Sequence, residues 1–391
     1  MLCGVGMFAI LSSTMSKSPV LPLFAKHLGV TDQVLGMVAA ASTIVGIVVS
    51  LPAGALSDIF GRRAVLLTAM FVFATAPVLY LFVNSAGALV AVRVYHGLST
   101  AIFGPVAMAY VADMTKARRA ERMSWYSTAT LVGRSVAPIL GAALIYISYH
   151  SVYIACAVAG FLALACSLAL PKAPKPAVAP TRQSMTRQIA EGLVAVGHSR
   201  IILITSIVEA MQYLAFGAVE TFLPLYAVEQ GISKWQIGII LGAQIVTLAL
   251  TKPLSGRTSD KLGRRPVIAA GLFLNAVALV GLTVYPHFWG FLIGATIFGL
   301  AMSVVTASTS ALVADVSRAK HYGTSLGVLS SIMDVGHASG PIITGFVLGT
   351  LHYAGTYRAL AVLMLVAMAV FAFATGGIER EIGATIEADG E

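Results

Sequence analysis

Six charged side chains lie well inside long apolar segments of this chain, far from the segment ends. The first half carries three cations and the second half three carboxylates: Lys17, Arg93 and Arg134, then Glu209, Glu220 and Asp334. An ionisable group inside a membrane-length apolar segment is costly, which makes each of these residues a functional candidate. Buried carboxylates can take up and release a proton in each cycle. Glu209, Glu220 and Asp334 are therefore predicted proton or cation acceptors, and the alternative is a set of permanent salt bridges between the halves.

Polar and aromatic residues accompany two of these carboxylates. Glu209, Tyr213, Phe216 and Glu220 are separated by four, three and four positions, which places them on one face of a helix. Gln212 lies next to that face. A polar stripe among apolar neighbours predicts a substrate-binding surface, in which Glu220 serves both binding and proton exchange.

The elements that must carry these residues are membrane-spanning helices. Of the 391 residues, 58% are hydrophobic and only 10% are charged, and the mean hydropathy is +0.88. Soluble domains are about 25% charged, so this composition indicates a bilayer protein. A spanning helix needs roughly 20 apolar residues, and twelve segments qualify: 3–27, 33–56, 64–83, 86–113, 122–148, 150–170, 200–228, 233–256, 266–285, 288–314, 321–350 and 354–377.

An internal repeat divides these segments into two groups of six. The segment 21–25 (LPLFA) recurs 202 residues later as 223–227 (LPLYA), and 54–63 (GALSDIFGRR) recurs as 256–265 (GRTSDKLGRR). Parallel homologous halves in an apolar chain are typical of transporters. The predicted fold is an all-α membrane protein with twelve transmembrane helices in two pseudo-symmetric six-helix bundles.

Basic residues in the connections predict the orientation. With the chain start in the cytoplasm, 18 Lys and Arg residues fall in connections on that side and 3 on the other, which is the bias expected of cytoplasmic loops. Both termini are therefore predicted to be cytoplasmic, in a multi-pass protein of the plasma (inner) membrane. The net charge of +9 reflects this inner girdle, which can contact anionic membrane lipids and does not indicate nucleic-acid binding.

One interruption of the apolar pattern sets the domain boundaries. Residues 1–170 are the predicted first bundle, 171–199 a cytoplasmic linker, 200–378 the second bundle and 379–391 a cytoplasmic tail. The linker starts with a proline-rich stretch, which disfavours helix. Its later part, 183–198, is a predicted amphipathic helix on the inner membrane face.

The repeated segment 54–66 resembles the loop signature of the major facilitator superfamily, Gly-x-Leu-Ala/Ser-Asp-Arg/Lys-x-Gly-Arg-Arg/Lys-x-x-Leu/Ile. The first copy matches at Gly54, Leu56, Ser57, Asp58, Gly61, Arg62, Arg63 and Leu66. The resemblance implies a gate, because a carboxylate near a helix end accepts amide hydrogen bonds and pairs with arginine. The predicted gating residues are Asp58, Arg62, Asp260 and Arg264. Asp58 is expected to hold the start of the eleventh helix, near 320–323, and Asp260 the start of the fifth, near 121–124.

Two further patterns resemble the same superfamily. Arg93-x-x-His96-Gly97-x-x-x-Ala101 is similar to Arg-x-x-Gln-Gly-x-x-x-Ala, whose arginine is linked to proton transfer, and this implies the same role for Arg93 in a cavity-facing position. His96 replaces the glutamine and could itself titrate, although a lone histidine is more often a packing residue. The segment 133–142 resembles the motif Gly-x-x-x-Gly-Pro-x-x-Gly-Gly of drug:proton antiporters, and 336–345 echoes it.

The resemblance to the twelve-helix drug:proton antiporters covers nearly the whole chain. It implies the major facilitator fold, in which the first, fourth, seventh and tenth helices line a central cavity. The substrate-binding residues are then predicted to be Ser13, Ser16, Lys17, His96, Arg134, Gln212, Tyr213, Phe216 and Glu220. The implied function is secondary active transport by a monomer that exports small amphipathic molecules in exchange for protons, by alternating access.

Two alternatives stay open at this point. The three cations of the first half could bind a carboxylate or phosphate head, as in an organic-anion or lipid-linked substrate carrier of the same fold. A non-transporting membrane receptor is the other alternative, and the paired gates disfavour it. The sequence has no phosphate-cradling loop, catalytic triad spacing or metal cluster, so we expect no enzymatic activity, no cofactor and no metal.

Overall fold

The computed structural model describes residues 1–114, 119–171, 199–317 and 322–375, which form twelve α-helices and no strand. The helices are α1 (Leu2–Lys17), α2 (Val20–His27), α3 (Asp32–Phe60), α4 (Arg62–Tyr80), α5 (Ala86–Met114), α6 (Arg119–Ile145), α7 (Tyr149–Leu168), α8 (Arg200–Glu229), α9 (Lys234–Leu262), α10 (Arg264–Val284), α11 (Phe288–Val316) and α12 (Tyr322–Ala374). The predicted linker helix at 183–198 and the predicted tail at 379–391 lie outside the described residues.

Ten of these helices are long and apolar enough to cross a membrane. The first predicted segment is divided, because Ser18 and Pro19 separate α1 from α2. The last two predicted segments are joined in α12, whose 53 residues would extend about 80 Å at 1.5 Å per residue. The chain turns back inside α12 at His352, where φ is 51° and ψ is −178°. The two arms of α12 correspond to the eleventh and twelfth predicted segments, so the fold matches the predicted arrangement of twelve crossings.

Apolar side chains occupy both the centres of the bundles and their outer surfaces. In the first bundle, α1–α7, Phe73 packs edge-on against Phe103 with centroids 5.7 Å apart. In the second, α8–α12, Tyr226 packs edge-on against Phe291 at 5.2 Å. Large side chains such as Phe373 are exposed on the surface, as expected where the surrounding solvent is lipid.

The two bundles meet through α3 with α12 and α6 with α9. We define the far face as the end of the molecule that carries the starts of α3 and α9, and the motif face as the end that carries Gly61 and Gly263. Near the far face, glycines allow backbone contact between the halves: a Cβ added at Gly36 would overlap the carbonyl group of Pro341, and one at Gly238 would overlap Ala142.

The same helix faces separate toward the motif face. Gly54 follows Gly36 by 18 residues, and Gly256 follows Gly238 by 18, which is five helical turns and returns to the same face. A Cβ added at Gly54 or Gly256 would meet none of the described residues within 4 Å. The described residues therefore form a conformation that is closed at the far face and open at the motif face.

A single glycine joins two helices at each copy of the loop signature. α3 ends at Phe60 and α4 begins at Arg62, with Gly61 at φ 94° between them; Gly263 takes the same role at φ 88° between α9 and α10. Glycine adopts this left-handed backbone without the steric cost that a Cβ carries. The sequence-based prediction of a loop was too long, because the signature continues both helices up to this one residue.

Candidate functional site

A carboxylate at the seam between the bundles contacts a basic residue from each half. One oxygen of the Glu220 carboxylate on α8, Oε2, lies 2.8 Å from Lys17 Nζ of α1 and 3.0 Å from His337 Nε2 of α12. The three side chains are at most 24% exposed. Low exposure strengthens the interaction and also makes an unpaired charge costly. The cluster therefore links the two halves electrostatically.

Local sequence explains how these three residues come together. Pro19 follows the end of α1, so Lys17 lies in the last turn, where the negative end of the helix dipole favours a cation. α8 and α12 approach closely because Gly217, Gly336 and Gly340 pack against backbone of the other helix. This contact brings the His337 ring to the Glu220 carboxylate.

Aromatic rings extend the cluster toward the opening. The centroid of His337 lies 5.5 Å from that of Phe216 and 6.3 Å from that of Tyr213. Arg134 of α6 and Asp334 of α12 are exposed, and both act electrostatically on Tyr213. Asp334 is also within electrostatic range of Lys17 and His337. The seam, the interface between the two bundles around Glu220, thus combines a row of aromatic rings with charges of both signs.

The structure brings four of the six predicted charges to this seam: Lys17, Arg134, Glu220 and Asp334. The predicted meeting of the first and seventh spanning helices is present as the pair of Lys17 with Glu220. Of the two serines predicted to bind substrate, Ser16 already makes a hydrogen bond within α1: its Oγ donates to the Ser13 carbonyl oxygen at 2.8 Å.

Arg93 and His96 are buried inside the first bundle rather than facing the central cavity, which corrects their predicted position. Arg93 donates to the carbonyl oxygens of Val38 and Ala39, each at 3.4 Å, and to Ser42 Oγ. These acceptors hold the guanidinium between α5 and α3 of the same bundle. The ring of His96 packs edge-on against aromatic rings of α4, and its nitrogens have no hydrogen-bond partner among the described residues.

Glu209 and Gln212 are buried inside the second bundle, between α8 and α11. Glu209 Oε2 accepts a hydrogen bond from Thr309 Oγ1 at 2.9 Å, and Gln212 Nε2 donates to the Ala301 carbonyl oxygen at 3.4 Å. The predicted stripe along α8 therefore divides between two environments, with Glu209 inside the bundle and Glu220 at the seam.

The predicted gating residues form one cluster in each half at the motif face. Arg62 binds Asp58 and, at 2.9 Å, Asp113; the repeat-related Arg264 binds Asp260 and, at 2.8 Å, Asp315. Each aspartate thus pairs within its own half in this open conformation, where the bundles are apart. The predicted partner of Asp58 falls partly on 318–321, outside the described residues.

Sequence reasoning missed His337, Asp113 and Asp315 as members of these clusters. The repeat contains a signal for each of them. His337 follows Gly336 as Arg134 follows Gly133, so both seam bases occupy the same place in the two copies, and Asp113 and Asp315 are themselves a repeated pair.

Comparison with known proteins finds one family. The sequence model of the Major Facilitator Superfamily matches residues 2–243 and 205–390. An uncharacterized MFS-type transporter of Methanocaldococcus jannaschii is 24% identical over 354 residues, which are 89% of this chain and 91% of that protein. The quinolone resistance protein NorA of Staphylococcus aureus is 29% identical over 161 residues, 40% of this chain and 42% of NorA.

Solved structures resemble the fold over almost its whole length. A bacterial homolog of the human lysosomal transporter Spinster, inward-facing and unoccupied, has a TM-score of 0.83 at 16% identity and covers 96% of this chain and 95% of its own. The nucleoside transporter NupG has a TM-score of 0.84 at 13% identity and covers 96% and 100%. The human organic anion transporter MFSD10 (TETRAN) has 0.64 at 20% identity and covers 95% and 98%.

Proposed function

The chain belongs to the Major Facilitator Superfamily and is a membrane-spanning transporter of small molecules, and from this premise we propose that it is a proton-coupled antiporter that exports small amphipathic molecules. The observation that carries the proposal is the Glu220 carboxylate, which is shared by Lys17 of the first half and His337 of the second. One titratable group at the seam can couple protonation to the relative position of the bundles.

The exchange step follows from the charge on Glu220. Deprotonated Glu220 binds Lys17 and holds α1 against α8. A proton on Glu220 removes the negative charge and weakens this link, which changes the balance between the two conformations. A cationic or hydrogen-bond-donating substrate competes with the proton for the same carboxylate, so the two ligands alternate. Asp334, close to the same bases, is a second proposed proton acceptor.

The surroundings of Glu220 suit an aromatic or cationic substrate. The rings of Tyr213, Phe216 and His337 form a wall beside the carboxylate, and aromatic faces attract both planar rings and organic cations. The name of NorA, a quinolone resistance protein, supports export of compounds of the drug-efflux type. Ser13, Ser16, Arg134 and Gln212 are proposed to contribute polar contacts.

The direction of transport rests on the predicted orientation. With the basic connections in the cytoplasm, the motif face is cytoplasmic, and the described conformation admits substrate from that side. We propose that Asp58, Arg62, Asp260 and Arg264 close the motif face in the opposite conformation, in which the bundles have rocked together.

The test is flux of a fluorescent lipophilic cation in sealed proteoliposomes under an imposed proton gradient. We expect Glu220→Gln to reduce gradient-driven flux to the background of empty vesicles, and Asp334→Asn to alter its pH dependence. Glu229→Gln is the matched control, because Glu229 is an exposed carboxylate at the end of the same helix; it should leave flux unchanged. Wild-type flux and pH dependence in Glu220→Gln would refute the proposed exchange.

A second candidate function is organic-anion transport, which the environment of Arg134 favours. Arg134 is exposed at the seam and has no carboxylate within 4 Å among the described residues, so it is available to an anionic group. Competition of organic anions with the fluorescent cation, together with loss of anion binding in Arg134→Ala, would support this candidate. Export of lipophilic cations that Arg134→Ala leaves intact counts against it.

A further inference from the structure

A polar core lies between α8 and α11, inside the second bundle and away from the seam. It contains side chains that the structure buries completely, at 0% exposure: Thr205, Ser206, Glu209 and Gln212 of α8, and Ser308 and Thr309 of α11. Glu209 precedes Glu220 by 11 residues, about 16 Å along a helix. Proton exchange at Glu220 does not account for this second buried carboxylate.

The α8 residues occupy successive turns of one helix face. Thr205 and Ser206 precede Glu209 by four and three residues and Gln212 follows it by three, spacings that bring side chains near Glu209 on the helix surface. Two of them reach α11: Glu209 binds Thr309, and Gln212 binds the Ala301 carbonyl oxygen. Glu209 and Gln212 therefore point toward α11, and the buried hydroxyls of Thr205 and Ser206 lie one turn before Glu209 on α8.

Several of these oxygens lack a partner. Glu209 Oε1, Gln212 Oε1, Thr205 Oγ1 and Ser206 Oγ make no hydrogen bond within the part of the chain that the structure describes. Two of the four, in Glu209 and Gln212, can only accept, so they cannot satisfy each other. Unpartnered buried acceptors are costly and rare, which indicates that a positively charged ligand belongs between them.

The first half of the chain provides an internal comparison. Its equivalent positions, 202 residues earlier, hold apolar or small residues: Met7 for Glu209, Ile10 for Gln212, Val106 for Ser308 and Ala107 for Thr309. The same two helices therefore pack in the first bundle without polar side chains at these places. The polar side chains of the second half are therefore not needed for this helix packing, and another role must account for them.

Contrary to the sequence-based expectation of no metal, we propose that this polar core binds one sodium ion, with Glu209 as the charged ligand and Gln212, Thr205, Ser206 and Thr309 as neutral oxygen ligands. A monovalent cation matches the charge of the single carboxylate, on which the exposed Lys252 also acts, whereas a divalent ion would leave excess positive charge in the bundle. Hard cations take oxygen ligands. The described residues bring together no three His, Cys, Asp or Glu side chains that could hold a metal, which disfavours zinc and other transition metals.

A sodium ion would contact more of these oxygen atoms than a proton does. A proton would neutralise Glu209 and satisfy one further acceptor, and the hydroxyl oxygens of Thr205 and Ser206 would stay unpartnered. An ion that binds all of these oxygens joins α8 to α11 and stabilises the second bundle. This site does not rest on the exchange proposed at Glu220.

The test is the thermal unfolding midpoint of the purified full-length protein in detergent, in NaCl, KCl and choline chloride at equal ionic strength and mildly alkaline pH. We expect NaCl to raise the midpoint by about 3 °C or more relative to choline chloride, because a ligand that binds the folded state stabilises it. Glu209→Gln should abolish this shift, and Gln212→Leu should raise the half-saturating Na⁺ concentration roughly tenfold.

Glu220→Gln is the matched control on the same helix, and its midpoint should keep the sodium shift. This separates the two proposals, because Glu220→Gln tests antiport and Glu209→Gln tests the ion. Equal midpoints in NaCl and choline chloride, or a sodium shift that persists in Glu209→Gln, would overturn the proposal. So would a midpoint that depends on pH through Glu209 but not on Na⁺, which would assign the site to a proton. If Glu209→Gln does not fold, Thr309→Val provides the same comparison.

Discussion

Glu220 pairs with two basic side chains of different kinds, the amine of Lys17 and the imidazole ring of His337. Lys17 and His337 both contact its Oε2 atom, and the group lies at a seam with little exposure. A carboxylate left without its cation in such a place is costly. The stability of the seam should therefore depend on the pair as a unit rather than on either partner.

This dependence can be measured with a double-mutant cycle. Lys17→Met should lower the free energy of unfolding by about 2 kcal/mol, less than for a fully buried pair, because it leaves Glu220 with His337 alone. Lys17→Met combined with Glu220→Gln should recover part of that loss, since no unpaired charge remains. Thermal unfolding in detergent gives the values, and additive effects of the two substitutions would contradict a direct interaction.

His96 offers a second prediction at the residue scale. Its ring packs edge-on against Phe73 and Tyr80, with centroids 5.9 and 6.0 Å away, and its nitrogens have no partner among the described residues. The repeat has Phe298 at this position. His96→Phe should keep the ring packing and remove unsatisfied polar atoms, which stabilises the protein by about 1 kcal/mol. The unfolding midpoint and the proton-driven flux are measured together, and loss of flux in a stable variant would instead make His96 a coupling residue.

The sequence predicted the helix face that carries two of these charges better than it predicted their neighbours. Glu209 and Glu220 are 11 residues apart, close to three turns, so their periodicity correctly puts them on one face of α8. Packed helices cross at an angle, so one face meets different neighbours along its length. Glu209 consequently faces α11 inside the second bundle, while Glu220 faces α1 and α12. Helical spacing alone contains no information on this change of neighbour.

Two glycines of α3, five helical turns apart, show where the helices of the two halves are in contact and where they are not. Gly36 faces the backbone of α12 at Pro341, while Gly54, on the same face of α3, has no described residue within 4 Å of an added Cβ. The two positions form a matched pair within one element. A side chain added at Gly36 should therefore disturb the packing of the described conformation, whereas one added at Gly54 should not.

Gly36→Ala should oppose closure of the far face, because its Cβ would overlap the Pro341 carbonyl group, whereas Gly54→Ala should be tolerated in the described conformation. Lys234 lies over the ring of Tyr149, 5.5 Å from its centroid, across the closed far face. A reporter Tyr149→Cys, in a background without Cys3, Cys156 and Cys166, should react faster with a maleimide in Gly36→Ala. An unchanged rate would contradict the proposed contact.

The one-residue connections at Gly61 and Gly263 give the other prediction at the element scale. Their φ angles of 94° and 88° are unfavourable for any residue with a Cβ. Gly61→Ala and Gly263→Ala should each cost about 1–2 kcal/mol, measured as a lower unfolding midpoint. Gly46→Ala is the control, because Gly46 lies within α3 and a Cβ there meets none of the described residues within 4 Å; this variant should be neutral or slightly stabilising.

At the scale of the whole molecule, the two halves share a fold but bury different charges. Arg93 lies inside the first bundle where the repeat has Ala295, and Glu209 lies inside the second where the repeat has Met7. The duplicated pattern predicted the twelve crossings and the two bundles, because apolar length and repeat register determine them directly. It did not predict the conformation, since closed and open ends use the same helix faces.

The proposed gating aspartates, Asp58 and Asp260, should affect the conformational balance in the direction opposite to Gly36. In the described conformation Asp58 and Asp260 bind arginines of their own halves, and the proposed latch across the halves exists only when the motif face is closed. Neutralising both aspartates should therefore favour the described conformation, with its far face closed. In Asp58→Asn with Asp260→Asn, the Tyr149→Cys reporter should react more slowly, by about tenfold for each 1.4 kcal/mol of lost latch energy. A faster reaction would mean that the aspartates stabilise the open motif face, and that the arginine clusters within each half, rather than a latch between halves, set the balance.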